Sequence, residues 1–315
     1  MRGSVQMARK YENYFLSEAD GLRISALTVL PDQEPYRGVV QLVHGMSEFK
    51  ERYLPFMEFL AQKGFASVIH DHRGHGKSVK SKADLGYMYG GGAEAMIRDI
   101  KTVNQGIHDK LPKLPVILMG HSMGSLAVRA FTRRYDDCID MLIVCGSPSN
   151  NVARPVGTVI AHVEKALLGP HHRSKLLEGI SFADYVRRFR HDKSCTAWIC
   201  SDKEVADAYA SSEYCGFTFT DDAYLALFEL MKQAYDVKHW RCTNRDLPVL
   251  FVSGADDPCM GNVRQFAQAV QAMRTAGYLD VKGKLYPDMR HEILNEKEKD
   301  KVYRDIAAYI KMKGF

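Results

Sequence analysis

The fold is decided by the stretch Pro115-Val116-Ile117-Leu118-Met119-Gly120-His121-Ser122-Met123-Gly124, an apolar run that ends in a Gly-x-Ser-x-Gly pattern. A helical pattern of small and apolar residues follows at 125–130. Where a strand turns sharply into a helix at a serine, the backbone holds the hydroxyl in a strained, accessible position, and the flanking glycines let neighbouring chain approach. The stretch therefore predicts a strand–turn–helix unit with Ser122 as a candidate nucleophile. The alternative interpretation is an ordinary tight turn.

Apolar, strand-like runs alternate with helical stretches on both sides of this turn. The predicted strands are 39–43, 66–70, 116–120, 141–146, 249–253 and 281–286. Alternation of this kind is typical of an α/β protein with a mostly parallel central sheet flanked by helices, and continuous β-branched runs suit strands that are buried on both faces. Segment 23–30 instead alternates apolar and polar residues, which predicts an antiparallel edge strand.

The spacing of apolar residues locates the helices and one large insertion. Stripes at helical spacing predict helices that pack on the sheet through 96–107 and 302–310. The alternation stops after residue 150 and resumes at 246, which predicts a core of 7–150 and 246–315 with an inserted helical cap at 151–245. The cap carries one apolar stripe at Val156, Val159, Ile160, Val163 and Leu167, and a second at Ala223, Leu225, Leu227, Phe228 and Met231. We expect the cap to lie over the carboxyl ends of the strands, where open α/β sheets bind ligands; a structural appendage away from the site is the alternative.

Composition excludes several classes of protein. With 315 residues, 46% apolar and 26% charged, the chain has the composition of a globular domain rather than of a disordered or fibrous protein. Its 43 basic and 38 acidic residues give a formal charge of +5 without a long basic run, so we predict no nucleic-acid partner. No run approaches the ~18 consecutive apolar residues that a membrane span needs. Residues 1–14 lack the apolar segment of a signal peptide, and 1–4 resemble an expression leader.

Cysteines and histidines predict neither disulfides nor a metal centre. The seven cysteines are scattered and include no Cys-x-x-Cys pair, which favours free thiols in a reducing, cytoplasmic compartment. Two histidine clusters, 70–72 and 171–172, lack the helical spacing of metal ligands. We therefore expect no bound metal.

A serine nucleophile requires a base and a carboxylate that orients it, and the chain supplies both in the order serine, acid, histidine. Asp257 follows the predicted strand 249–253, and His291 lies in the loop between the strand 281–286 and the last helix. His291 would take the proton of the Ser122 hydroxyl and return it to the leaving group, while Asp257 would fix the imidazole tautomer. Asp256 competes with Asp257 for this role, and Asp288 is a weaker candidate.

An oxyanion hole needs two backbone N–H donors beside the nucleophile. The residue after the nucleophile, Met123, supplies one candidate. The second is the amide of Met46, which follows the predicted strand 39–43. Because the backbone donates these bonds, a change of the Met46 side chain should matter less than a distortion at Gly45.

Motifs along almost the whole chain resemble the α/β-hydrolase superfamily, in particular the monoacylglycerol lipase and lysophospholipase group, which is grouped with the serine aminopeptidase-type hydrolases. The resembling segments are 44–48, 51–53, 71–78, 120–124, 253–258 and 290–296, together with 198–202 and 215–220 in the insertion. The resemblance implies a serine esterase or lipase without a cofactor and assigns the triad to Ser122, Asp257 and His291. The chain departs from the group at Gly124-Ser125, where many relatives have a second glycine, and at 211–214, where an aspartate–proline pair is common.

The leading functional hypothesis is hydrolysis of carboxylic esters of one acyl chain, such as a monoacylglycerol or a lysophospholipid, through an acyl-enzyme. A peptidase or amidase that uses the same triad is the second hypothesis, and a non-catalytic binding protein on a hydrolase scaffold is the third. The apolar cap helices predict either a transient contact with a lipid surface or simple packing over the site.

Overall fold

The computed structural model describes residues 8–192 and 194–315. The predicted leader at 1–4 lies outside these described residues. Among the described helices, none combines the length and the apolar character that crossing a bilayer requires.

The core is a sheet of eight strands in the order β1-β2-β4-β3-β5-β6-β7-β8. The strands are β1 (Arg9–Leu16), β2 (Arg23–Leu30), β3 (Gly38–Val43), β4 (Phe65–His70), β5 (Val116–His121), β6 (Met141–Cys145), β7 (Val249–Gly254) and β8 (Val281–Tyr286). Strands β3 to β8 pair in parallel, whereas β2 pairs antiparallel with both β1 and β4. The predicted fold class, an α/β protein with a mostly parallel central sheet flanked by helices, is confirmed.

Helices cover both faces of the sheet. They are α1 (Leu54–Gln62), α2 (Gly92–Lys110), α3 (Met123–Tyr135), α4 (Arg154–Leu168), α5 (Lys175–Arg188), α6 (Lys203–Ser211), α7 (Asp221–Tyr235), α8 (Val263–Ala276) and α9 (Lys299–Met312). Two apolar clusters form, one on each face: α2, α3, α7 and α8 contribute to the first, and α1 and α9 to the second. Burial on both faces explains why the central strands read as continuous apolar runs.

The edge of the sheet differs from the sequence prediction. Segment 23–30 forms a strand, but it is the second strand of the sheet, and the edge is formed by β1. Every residue of β1 except Phe15 is exposed, so this strand lacks the buried face that produces an alternating apolar pattern. The sequence therefore did not predict β1 as a strand.

Helices α4 to α7 lie between β6 and β7, in the segment predicted as the cap. These helices differ in how much of their apolar surface is buried. Helix α7 packs on α2 and α3, and its residues Ala223, Tyr224 and Leu230 belong to the main apolar cluster. Helix α4 instead leaves most of its apolar stripe exposed, with Leu167 77% accessible. The limits 151–245 of a separate cap subdomain stay a prediction.

Candidate active site

Ser122 occupies a strained turn between β5 and α3. Its backbone has φ 54° and ψ −120°, a conformation that residues other than glycine rarely adopt. The surrounding chain holds it there, because the Ser122 amide donates to the carbonyl of Cys145 at 3.0 Å and the Ser122 carbonyl accepts from the Ser125 hydroxyl at 2.6 Å. The side chain of Ser125 thus contributes a bond to the turn.

The glycine at 124 allows a close approach of two elements. A Cβ atom at this position would lie 2.2 Å from the carbonyl oxygen of Val43 and 2.4 Å from that of His44. Backbone atoms cannot give way at such distances, so only glycine lets the end of β3 pass beside the first turn of α3. This contact brings segment 44–48 next to Ser122.

The structure brings Asp257 and His291 together. Nδ1 of His291 lies 3.0 Å from Oδ1 of Asp257, and both side chains are buried. The amide of Cys259 and the hydroxyl of Ser253 also donate to the carboxylate, at 2.8 and 2.9 Å. The competing acids, Asp256 and Asp288, are exposed.

Charge stabilisation keeps the Asp257 carboxylate ionised. Burial raises the pKa of Asp257. The electrostatic interaction and hydrogen bond with His291, together with the hydrogen bonds from Cys259 and Ser253, lower it more, so the net pKa lies below its ordinary value. An ionised carboxylate only accepts hydrogen bonds, so Nδ1 of His291 carries the hydrogen and Nε2 is left as the acceptor.

Nε2 of His291 lies next to a thiol. Its distance to Sγ of Cys259 is 3.8 Å, and the indole of Trp198 lies 5.3 Å from the imidazole between ring centroids, with the two rings tilted by 40°. Within the described chain, no hydrogen bond joins His291 to the Ser122 hydroxyl, although both residues line the same cavity. Such bonds are often long before substrate binds.

Two residues beside Ser122 have backbone amides without a hydrogen-bond acceptor in the described chain. Met46 follows β3 in a turn, and Met123 is the first residue of α3. Neither amide donates a hydrogen bond to any other described residue. Both residues line the cavity with Ser122.

A buried carboxylate, Glu48, organises the turn that contains Met46. It accepts hydrogen bonds from the amide of Gly45 at 2.5 Å, the hydroxyl of Tyr53 at 2.9 Å and the guanidinium of Arg52 at 2.9 Å. Burial raises the pKa of Glu48, but His121 and Arg52 lower it far more, so it lies well below its ordinary value. Glu48 in turn raises the pKa of the buried His121.

The same network reaches the loop that carries His291. Arg52 forms two hydrogen bonds with Glu292, at 2.5 and 2.6 Å, and Nε2 of His121 lies 3.2 Å from the carbonyl oxygen of His291. The turn after β3 and the loop after β8 are therefore joined by buried ion pairs. Glu48, Arg52 and Glu292 lie within the resembling segments 44–48, 51–53 and 290–296, but the motifs alone assign them no role. The available signal was their position as charged residues close to the predicted site residues.

The cavity above these residues has a volume of about 350 Å³ and is mostly apolar. The insertion supplies much of its wall, through the side chains of Phe182, Tyr185, Trp198, Phe217, Leu227, Phe228 and Met231. Ser47 ties this wall to the turn after β3, since its carbonyl accepts from the Tyr209 hydroxyl at 3.0 Å and its hydroxyl donates to the Phe217 carbonyl at 2.7 Å.

Two groups of side chains have the composition of metal ligands. Asp257, Cys259 and His291 form one, which coincides with the acid–histidine pair beside Ser122. Glu164, His172 and Asp221 form the other.

Comparison with known proteins agrees with this geometry. The family model for serine aminopeptidase, S33, matches residues 34–298. The chain is 29% identical to the monoacylglycerol lipase of Mycolicibacterium smegmatis over 92% of this chain and 93% of that protein. A thermostable carboxyl esterase from Bacillus coagulans superposes with a TM-score of 0.87 at 24% identity, covering 97% and 98% of the two chains. A soluble variant of monoglyceride lipase from Saccharomyces cerevisiae superposes with a TM-score of 0.73 at 19% identity, covering 99% and 98%. The resemblance predicted from the motifs is confirmed: the chain belongs to the serine aminopeptidase S33 family and is a monoacylglycerol lipase-like α/β-hydrolase.

Proposed function

We propose that the protein hydrolyses carboxylic esters of a single acyl chain through an acyl-enzyme on Ser122. The observation that carries the proposal is one cavity lined by a strained serine, by two residues with unused backbone amides and by a histidine that is paired with a buried acid. The similarity to a monoacylglycerol lipase over nearly the full chain supports the same reaction class.

In this proposal His291 moves the proton. Nε2 of His291 takes the hydrogen of the Ser122 hydroxyl while Oγ attacks the ester carbonyl, and it then protonates the leaving alcohol. Water repeats the sequence on the acyl-enzyme and releases the fatty acid. Asp257 holds the imidazole through Nδ1 and stabilises the imidazolium that forms. The negative charge that develops on the carbonyl oxygen would be bound by the amides of Met46 and Met123.

The apolar wall of the cavity favours an acyl chain as the bound part of the substrate. Each buried methylene contributes about 0.8 kcal/mol, so kcat/KM should rise about fourfold per added methylene until the cavity is full. Monoacylglycerols and lysophospholipids are the substrate classes that we propose.

Amide hydrolysis is the competing proposal. It would require a carboxylate that binds the amino group of the substrate, and Glu178 is the candidate because it lines the cavity. Its Oε1 already accepts from the Thr218 hydroxyl at 2.9 Å, and the side chains around it are mainly apolar. These contacts favour the ester.

A substrate panel tests the proposal. We expect turnover of p-nitrophenyl acyl esters and of monoacylglycerols, little turnover of aminoacyl anilides, and a loss on the order of 10⁵–10⁶-fold in kcat for Ser122→Ala and for His291→Ala. A Glu178→Gln variant should leave ester turnover nearly unchanged. If the wild type prefers anilides and Glu178→Gln abolishes this preference, the protein is a peptidase and the ester proposal is wrong. Activity within tenfold of the wild type in Ser122→Ala would contradict the assigned nucleophile.

We also propose a transient contact between the insertion and a lipid surface. The outer side of α4 exposes four apolar side chains: Val156, Val159, Val163 and Leu167 are 63%, 62%, 51% and 77% accessible. Apolar area of this kind, on one helix, is a feature of helices that lie on membranes.

Substrate presentation tests this contact. Val159→Asp should lower turnover of monoacylglycerol in vesicles and leave turnover of a dissolved short-chain ester unchanged. Leu279, which is 64% accessible and precedes β8, provides the matched control, because Leu279→Asp alters an exposed apolar residue outside the insertion. Equal losses on both substrates, or equal effects of the two variants on vesicles, would contradict the proposal.

The compartment remains a proposal as well. All seven cysteines are free thiols in the structure, which favours a reducing, cytoplasmic location.

A further inference from the structure

Three side chains with metal-binding atoms meet in the insertion. Glu164 lies in α4, His172 in the connection between α4 and α5, and Asp221 is the first residue of α7. One ligand-type atom of each lies within 4.8 Å of the others. None of the three is among the described residues that line the cavity beside Ser122.

The carboxylates of this cluster are incompletely bonded. Asp221 is fully buried, and its Oδ2 pairs with Nδ1 of His172 at 2.9 Å. Its other oxygen, Oδ1, and Oε2 of Glu164 are buried without a hydrogen-bond donor in the described part of the chain. Buried carboxylate oxygens are rarely left without a partner, so two such atoms side by side mark a position suited to a ligand with positive charge.

The neighbouring cation on α4, Lys165, does not supply that charge, because it pairs with Oδ1 of Asp222 at 2.7 Å. Two buried carboxyl groups beside one imidazole need either a shared proton or a cation to balance their charge.

We propose that Glu164, His172 and Asp221 form a binding site for a divalent transition-metal ion such as Zn²⁺ or Mn²⁺. One imidazole with two carboxylates is a donor set that suits these ions, whereas Mg²⁺ and Ca²⁺ prefer oxygen ligands alone. Ligand atoms around one such ion lie ~3–4 Å apart, because each bond is ~2.0–2.2 Å long. In the structure the three donor atoms lie within 4.8 Å of one another, so the site would have to contract around a bound ion.

A bound ion would join three parts of the insertion. The amide of Asp221 already donates to the carbonyl of His172 at 2.9 Å, and α5 begins three residues after His172, at Lys175. Helix α5 carries Phe182 and Tyr185, which line the cavity. The ion would therefore fasten α4 and the start of α5 to α7, which packs on the core helix α3. The three ligands come from separate segments, which is why the spacing of 171–172 gave no signal.

Thermal unfolding of the full chain, stripped with a chelator, tests the site. At an ion concentration about 100 times the dissociation constant, Zn²⁺ or Mn²⁺ should raise Tm by about 5 °C, and Mg²⁺ should not. Electron paramagnetic resonance of free Mn²⁺ should report about one high-affinity ion per chain. His172→Gln and Glu164→Gln should lose both effects, and the matched control His171→Gln should retain them.

Glu164→Gln keeps the test decisive if other variants unfold, because its amide can donate to Oδ1 of Asp221 and preserve the fold. Retention of the Zn²⁺ shift and of the Mn²⁺ stoichiometry in Glu164→Gln and His172→Gln would overturn the proposal. Absence of Mn²⁺ binding to the wild type, with a higher Tm for Glu164→Gln in chelator, would also overturn it and assign a shared proton to the carboxyl pair.

Discussion

Gly45→Ala is the substitution that most sharply tests the position of the oxyanion donors. An added Cβ would lie 2.7 Å from Oε1 of Glu48, 3.0 Å from Cβ of Ser122 and 3.3 Å from Nδ1 of His121. Glu48 cannot swing away freely, because Tyr53 and Arg52 also bind it. The turn must therefore shift by several tenths of an ångström, and the amide of Met46 shifts with it.

The expected loss follows from the bond that the shift breaks. Loss of one oxyanion donor costs about 3 kcal/mol of transition-state stabilisation, or roughly 10²-fold in kcat. KM should change little, since the apolar wall that binds the acyl chain is untouched. Steady-state kinetics on a p-nitrophenyl ester measure both constants, and circular dichroism checks that the variant is folded.

Met46→Leu is the matched control, because it alters the neighbouring side chain and leaves the amide in place. Its kcat should stay within about threefold of the wild type, since the proposed donor is backbone. A folded Gly45→Ala protein with wild-type kcat, or an equal loss in Met46→Leu, would refute the assignment of this amide.

Two further predictions concern the acid and the buried histidines. Asp257→Asn should lower kcat by about 10⁴-fold without unfolding the protein, because an amide does not hold the required imidazole tautomer. Asp256→Asn, which alters an exposed carboxylate, should leave kcat nearly unchanged. Steady-state kinetics of the two variants test this, and a larger loss in Asp256→Asn would contradict the geometry. Burial lowers the pKa of His44 to about 3 and those of His70 and His75 to about 4, so these groups gain protons on unfolding at acid pH, and their contribution to stability, present above pH 6.5, is lost as the pH falls. Each of these histidines should lower the free energy of unfolding by about 2 kcal/mol at pH 5 relative to neutral pH. A denaturation midpoint that does not change between pH 7.5 and 5 would refute this account.

The parallel core and the order of the site residues could be read from the sequence. The buried strands are recognisable in the sequence as continuous apolar runs. The turn at Ser122 is marked by flanking glycines, and the close packing against Val43 requires the glycine at 124. Asp257 and His291 follow strand ends, which places them at one edge of the sheet. These features depend on local sequence alone.

What escaped prediction depends on contacts between distant segments. Strand β1 has no buried face, so its sequence shows no alternation of apolar and polar residues. The apolar stripe of α4 has the same spacing whether it is buried or exposed, so the sequence does not reveal that it is exposed. The hydrogen bonds from Arg52 to Glu292 span 240 residues, and the cluster around His172 joins three separate segments. Burial and pairing of charged groups are properties of the folded chain.

The most direct test of the central claim is to trap the covalent intermediate on Ser122. A fluorophosphonate probe, followed by intact-mass measurement and peptide mapping, reports which side chain reacts and how completely. We predict one adduct per chain, located on Ser122, with labelling strongly slowed in His291→Ala because the base is missing. A folded wild-type protein that stays unlabelled, or an adduct on another residue, would contradict the account.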